Sequence, residues 1–343
     1  MKKNGKLIRK FILFILLIII TFAVLLKGED ISQILNILGS VKIQYVLIGI
    51  LCMAIYISCE AINIGRSLKT LNEKSTFIQN LKYALIGFFF SAITPAASGG
   101  QPMQIYYMHK DKISVSNSTL ALLLNLTSMQ IITIGFALVS LCFNYQYLNG
   151  FLIVFFIVGI LLNLSALILL LIAIISKRLS RGMVHFAEKI LKFFRVKNID
   201  AKKEKLENEL EQYHESAIYI KQNKKIMIKI LLTTLVQFFA YYSVTFWTYK
   251  ALGMNEANIL EITSMQSVLF ATVSGIPSPG AVGVTEGAFK EIFRNIYPGA
   301  MMSSAILLNR GINFYFFVIF SGIVTIVNHI RSGYKEINEK KEE

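Results

Sequence analysis

The sequence predicts an all-α polytopic membrane protein with about six full spans and two re-entrant, Pro/Gly-broken helical hairpins related by an inverted repeat. Three observations carry that reading. Of 343 residues, 55% are hydrophobic and only 16% charged, with a mean hydropathy of +0.58; a soluble domain carries about a quarter charged residues. Six apolar runs are long enough to cross a bilayer. Two further apolar runs stop short, each in a block of prolines and glycines. Together these exclude an ordinary soluble enzyme, a disordered chain and a fibrous repeat.

The first run, Leu7 to Leu26, follows the basic cluster Lys2, Lys3, Lys6, Arg9 and Lys10. It is too long for a signal-peptide core and no A-x-A site follows, so it reads as an uncleaved first helix with its N-terminus in the cytoplasm. Ile31, Ile34, Leu35, Leu38 and Val41 then recur at helical spacing among polar residues, as in a short interfacial helix. The other spans are Ile43–Ile64, Val115–Phe143, Asn149–Ile175, Met227–Leu252 and Ala300–Ile330. The broken runs are Phe77–Thr94, ahead of Pro95-Ala-Ala-Ser-Gly-Gly, and Ile259–Ile276, ahead of Pro277-Ser-Pro-Gly-Ala-Val-Gly.

Charge sets the orientation. Thirty-five Lys and Arg against twenty Asp and Glu leave +15. In a polytopic chain that surplus marks cytoplasmic loops and contact with anionic lipid, not nucleic acid. Residues 176–226 form a basic stretch with two amphipathic stripes, Met183 to Phe194 and Leu206 to Ile220. They read as helices on the cytoplasmic surface, too small for a catalytic domain with its own core. With the N-terminus, the Arg66–Lys74 loop, this stretch and the C-terminus all inside, Phe77–Ser114 must enter and leave from the cytoplasm, and Ile259–Gly299 from outside.

An internal repeat agrees with that count. A shift of 184 residues (279 − 95 = 184) lays Pro95 on Pro279, Gly99 on Gly283 and Asn125 on Asn309. It relates a first repeat, 43–143, to a second, 227–330, running in opposite directions; chance matching of apolar residues is the competing explanation.

A Pro/Gly break at membrane depth frees backbone N–H and C=O groups that lipid cannot satisfy. Half-helix N-termini brought together from opposite faces suit an anion such as a lipid phosphate. The candidate binding residues are Thr94, Pro95, Ser98, Gly99, Gly100, Gln101 and Gln104 in the first break, and Ser278, Pro279, Gly280, Gly283, Thr285 and Glu286 in the second, with Asn309 and Arg310 from the last span. The alternative is that Pro and Gly only kink packed helices. A charge in a membrane is normally paired, so Arg310 is expected to face Glu286 or a substrate phosphate, or else to snorkel. Glu60, near the cytoplasmic end of its span, reads as snorkelling or as paired with Arg66.

No catalytic, metal or cofactor signature stands out. His109, His185, His214 and His329 are scattered, with no ligand set around them. No G-x-S-x-G, P-loop or dinucleotide fingerprint occurs. Cys52, Cys59 and Cys142 fall in apolar runs and read as small core residues. Phe314-Tyr-Phe-Phe317 reads as lipid-facing or packing surface.

At the breaks a resemblance becomes specific. Thr94-Pro-Ala-Ala-Ser-Gly-Gly-Gln-Pro-Met-Gln-Ile-Tyr-Tyr107, Pro277-Ser-Pro-Gly-Ala-Val-Gly-Val-Thr-Glu-Gly-Ala-Phe289 and Leu307-Leu-Asn-Arg-Gly-Ile-Asn-Phe-Tyr315 resemble the signature blocks of the lysylphosphatidylglycerol synthase transmembrane, or flippase-like, family. That region is also the membrane half of the bacterial multiple peptide resistance factor. The resemblance implies a lipid-handling protein of the bacterial cytoplasmic membrane, with membrane phospholipids and anionic headgroups as partners and a link to antibiotic resistance. The resistance factor's separate lysyl-transferring domain has no counterpart in this sequence. Gln101 and Gln104 stand where many relatives carry an acidic residue and an arginine, and Ala281 replaces a glycine; Glu286 and Arg310 match.

Three functions follow as expectations. One is translocation of a phospholipid between leaflets without ATP. Another is a phosphatidylglycerol lysyltransferase or other lipid transferase using Glu286, and the third is a non-catalytic regulator of a lipid enzyme. A homo-oligomer is compatible with each.

Overall fold

In a computed structural model the chain is described over residues 30–144, 150–175, 223–276 and 278–342. The first apolar run, and nearly all of the basic 176–226 stretch, lie outside the described residues. Every described element is helical: α1 Ile31–Gly39, α2 Ile43–Thr70, α3 Phe77–Ala92, α4 Gly100–Lys110, α5 Val115–Asn144, α6 Gly150–Ile175, α7 Lys224–Ala251, α8 Ile259–Val273, α9 Val284–Ile292, α10 Ala300–Arg310 and α11 Phe316–Glu342. A π-turn, Gly311–Tyr315, joins α10 to α11 so that Ala300–Ile330 runs as one apolar rod. Among the described residues, five helices are long and apolar enough to cross a membrane: α2, α5, α6, α7 and the α10–α11 rod.

The frame is the antiparallel pair α2 and α7. At one end the backbone N–H of Lys42 donates to the Ala251 carbonyl at 2.9 Å, and Tyr45 stacks on Trp247. At the other end Asn63 Nδ2 donates to Thr234 Oγ1 at 3.0 Å, and Arg66 Nη1 donates to Thr233 Oγ1 at 2.8 Å and to the Lys229 carbonyl. Hydroxyls and amides bonded across helices hold such a pair in a solvent as apolar as the side chains themselves.

Each frame helix leads into a short broken one. After α2, Thr76 and Gln79 form a reciprocal capping box that starts α3. Sixteen residues rise about 24 Å, too little to cross about 30 Å of hydrocarbon. The chain then turns and returns as α4. Tyr83 on α3 donates its hydroxyl to Asp111, just past the end of α4, at 2.6 Å, which closes the mouth of this hairpin. Asn117 at the start of α5 donates to Glu73 at 2.9 Å, so the mouth opens at the Thr70 end of α2. After α7, Asn258 caps α8, which turns and returns as α9; the backbone N–H of Ala257 donates to the Tyr249 hydroxyl at 2.9 Å. Tyr297, after α9, lies edge-on to Tyr249, so this mouth opens at the Ala251 end of α7. Because α2 and α7 are antiparallel, the two hairpins enter from opposite ends.

Their tips meet. The 3-10 turns Pro95–Ala97 and Pro279–Ala281 pack against one another, and Ala92, Ile93, Val282, Phe314 and Val318 form a small apolar cluster around them. Long helices from both halves grip each hairpin. α3 packs on α2 and on α11, while α8 packs on α7 and α5 and on α6. Close approach at the last contact is set by Gly159, where a Cβ would meet the Thr272 backbone, and by Asn163, whose Nδ2 donates to the Ala271 carbonyl at 3.2 Å and to Ser274 Oγ at 2.9 Å.

One expectation changes. Cys59 is buried and Cys52 half-buried, but Cys142 is exposed on the last turns of α5. Apolar runs bound for lipid and for the interior look alike in composition, so the sequence could not separate them.

Replacing Asn163 by Leu removes its bonds to the Ser274 hydroxyl and to the Ala271 carbonyl just before the second break. The variant is expected to lose about 1–3 kcal/mol of stability, read as an earlier unfolding transition in detergent, with Ser165→Ala on the exposed face as the unaffected control.

Candidate functional site

The site is built on the two breaks, which share one backbone recipe. The residue before each proline is extended, as the proline ring requires: Thr94 at φ −120°, ψ 144° and Ser278 at φ −114°, ψ 140°. Two left-handed residues follow in each, Ala96 and Ala97 in the first and Gly280 and Ala281 in the second. An alanine costs roughly 1–2 kcal/mol there, so three of these four positions hold strain that the packed tips must offset.

The first break is closed by neutral groups. Thr94 Oγ1 donates to the Phe90 carbonyl at 2.6 Å and accepts from the Gly99 N–H at 2.9 Å. Gly100 is buried where a Cβ would meet the Gly87 carbonyl at 2.9 Å. Pro95 and Ser98 stay exposed, and Gln101 is half-buried at the start of α4. The first-turn amides of Gly100 and Gln101 have no carbonyl of their own helix to bond, and no carboxylate caps this N-terminus. Gln104 is 2% exposed and engaged elsewhere: its Nε2 donates to Glu60 Oε1 at 3.0 Å and to the Tyr83 carbonyl at 3.2 Å. Glu60 therefore faces an amide across the bundle. Arg66, one expected partner, is bound to Asn63 and α7.

The second break is closed by charge. Glu286 Oε2 accepts from the Gly283 N–H at 2.7 Å, the carboxylate cap of α9. Its other oxygen accepts from Arg310 Nε at 2.8 Å, and Arg310 Nη2 donates to the Gly280 carbonyl at 2.9 Å. Both side chains are almost wholly buried, 6% and 2% exposed. The guanidinium lies 4.2 Å over the Phe314 ring. That ring fills the space a Cβ on Gly280 would need, so Gly280 serves both its left-handed φ of 58° and this close approach. Ser278 Oγ donates to the Val282 carbonyl at 3.0 Å; Pro279 and Thr285 are half-buried. Asn309, one residue before Arg310, accepts from Thr245 at 3.4 Å and from Thr248 at 3.5 Å.

The breaks thus come together, but much of their polarity is spent on holding the backbone. Thr94, Ser278, Glu286, Asn309 and Arg310 all have partners within the protein. Exposed at the joined tips are Pro95, Ser98 and Gly283, with Ser274 and Gly275 just before the second turn. Phe314 and the Glu60–Gln104 link escaped the sequence reading. The π-turn after Arg310 turns Phe314 inward, and Glu60 and Gln104 meet only through tertiary packing. No group of three or more His, Cys, Asp or Glu that could hold a metal occurs among the described residues.

Removing one partner of a buried pair leaves an uncompensated charge, at a cost of about 3–5 kcal/mol. Arg310→Met and Glu286→Gln are each expected to destabilise by that order in a denaturant titration in detergent, and the double variant by clearly less than the sum. Gly280→Ala is expected to cost at least about 1 kcal/mol through its left-handed φ alone, with more from the Phe314 clash.

The comparisons with known proteins agree with this architecture. Residues 11–321 match the family model described as the lysylphosphatidylglycerol synthase TM region. A UPF0104 membrane protein of Pyrococcus horikoshii is 24% identical over 331 residues, 93% of this chain and 97% of that one. Another, from Archaeoglobus fulgidus, is 23% identical over 270 residues, 76% of this chain and 80% of its own length. With a match over most of its length and a multi-pass helical fold, the chain belongs to the lysylphosphatidylglycerol synthase transmembrane-region family.

Proposed function

We propose that the protein moves a phospholipid between the leaflets of the cytoplasmic membrane, with its termini on the cytoplasmic side. The observation that carries this reading is that the two hairpins enter from opposite ends of the bundle and meet tip to tip. A headgroup arriving from either leaflet reaches the same junction, while its acyl chains stay among lipid-facing helices. Alternate loosening of one hairpin against the frame then opens the junction to one side at a time.

The seat for an anionic headgroup is the N-terminus of α4, where unspent amides of Gly100 and Gln101 lie beside the exposed hydroxyl of Ser98. The N-terminus of α9 is a poorer anion seat, because the Glu286 carboxylate already occupies it. Commitment of Glu286 to both Gly283 and Arg310 also weighs against its use as the base of a lipid transferase. The matched family is named for the transmembrane region of a lysylphosphatidylglycerol synthase, which supports a phospholipid as the ligand, and a link to antibiotic resistance extends from the same kinship.

The test is reconstitution of the full chain into phosphatidylcholine vesicles carrying fluorophore-labelled phosphatidylglycerol, with a membrane-impermeant quencher reading the outer leaflet. Quenching is expected to pass the half-labelled plateau of protein-free vesicles, and Gly100→Val, which forces the first break apart, to slow it at least about tenfold (about 1.4 kcal/mol). Quenching that stops at the protein-free plateau removes the proposal.

A further inference from the structure

The two hairpins treat charge differently. In the second, Glu286 and Arg310 neutralise each other. In the first, Glu60 has no such partner. It sits on the membrane-crossing α2 and accepts a single hydrogen bond, from Gln104 on α4, whose other amide proton is held by the Tyr83 carbonyl of α3. Gln104 reaches this position because residue 87 is glycine; a Cβ there would meet its amide carbon at 2.5 Å.

No cation reaches Glu60 from any packed element among the described residues. On α2, Arg66 is bound to Asn63, Thr233 and the Lys229 carbonyl. On α3, Lys82 is held by Asp111, which also takes the Tyr83 hydroxyl. On α4, His109 and Lys110 lie in the last turn, and Tyr107 there meets His329 of α11. On α7, the Lys229 side chain is exposed near the Arg66 end of the pair and makes no ion pair with Glu60, and Arg310 of α10 is bound to Glu286. Helix α5 brings no Asp, Glu, Lys, Arg or His. The remaining titratable neighbours are phenols, Tyr56 one turn earlier on α2 and Tyr241 on α7, their rings 5.1 Å apart.

A carboxylate with one amide donor and no cation, in a helix that crosses hydrocarbon, is far costlier charged than neutral. A neutral carboxyl suits an amide on both sides: its O–H can donate to the amide oxygen while its carbonyl accepts from the amide N–H. We propose that Glu60 is a proton-binding site, and that its proton controls how firmly α4, and with it the first hairpin, is docked on α2. One proton passes from water to the carboxylate and the neutral pair closes. When the proton leaves, the carboxylate needs further donors, and water drawn to it loosens the hairpin. The inference rests on the translocation reading and supplies the regulation of the same junction.

Two measurements on the full chain separate the two ideas. The first is labelled-phosphatidylglycerol movement in phosphatidylcholine vesicles between about pH 5 and about pH 9, where the rate is expected to vary several-fold along a one-proton curve. Glu60→Gln, always neutral, is expected to flatten the curve, and Glu60→Asp to keep it with a moved midpoint. The second is an infrared titration in detergent, where a protonated-carboxyl band absent from Glu60→Gln is expected to fade as pH rises. Gln104→Arg, which brings a cation to the carboxylate, is expected to move that fading at least about one pH unit toward acid. A titrating Glu60 band without lipid movement at any pH keeps the proton site and removes translocation. Lipid movement with one pH profile in the native chain and in Glu60→Gln, or a Glu60 band that does not titrate, overturns the proton site and leaves translocation standing.

Discussion

Inside hydrocarbon every peptide group must find its partner within the protein, and the structure is organised around the two places where a helix cannot provide one. At the second break the solution is electrostatic: one carboxylate caps a helix and holds a guanidinium, which in turn reaches back to the Gly280 carbonyl. At the first it is a threonine hydroxyl that both donates and accepts across the turn. Both closures let the chain reverse direction while bonding much of the backbone that the breaks set free.

The two closures make the halves unequal in a way their shared backbone conceals. Identical left-handed steps follow both prolines, yet one tip is pinned by a buried ion pair and a ring stacked beneath it. The other is pinned by neutral hydrogen bonds and by an amide clasping a lone carboxylate. A buried ion pair is strongly directional and costly to break, whereas neutral bonds exchange with water at modest cost. The first hairpin is thus the more easily displaced partner of the junction, and the second its anchor.

Much of this fold was legible in the sequence. The spans follow from run length, and the breaks from prolines and glycines that stop apolar runs too early. The 184-residue offset placed Pro95 on Pro279, and in the structure both prolines begin matching turns. What stayed hidden was the use made of each polar side chain. The pairing of Glu286 with Arg310 is among the sequence expectations and is present, but the second use of that carboxylate, as the cap of the Gly283 N–H, was not legible. Phe314 reads as one of four aromatic residues in a row; only the π-turn aims it at Gly280. Glu60 and Gln104 are joined across 44 residues of chain, beyond any local pattern.

The grip of α3 by α11 and of α8 by α5 has a consequence for biogenesis. The first hairpin leaves the ribosome long before the helix that flanks it on one side, which is the last rod to be made. Until that rod is inserted, a half-crossing segment with a glycine-rich end has an incomplete protein surround, and the insertion machinery or a chaperone must shelter it from lipid. The second hairpin can settle on α5, α6 and α7 as soon as it is made, but its break is closed only when the same rod brings Arg310 and Phe314. Maturation of this protein is therefore gated by its final transmembrane rod, and a nascent chain stalled before that point retains an unfinished first half.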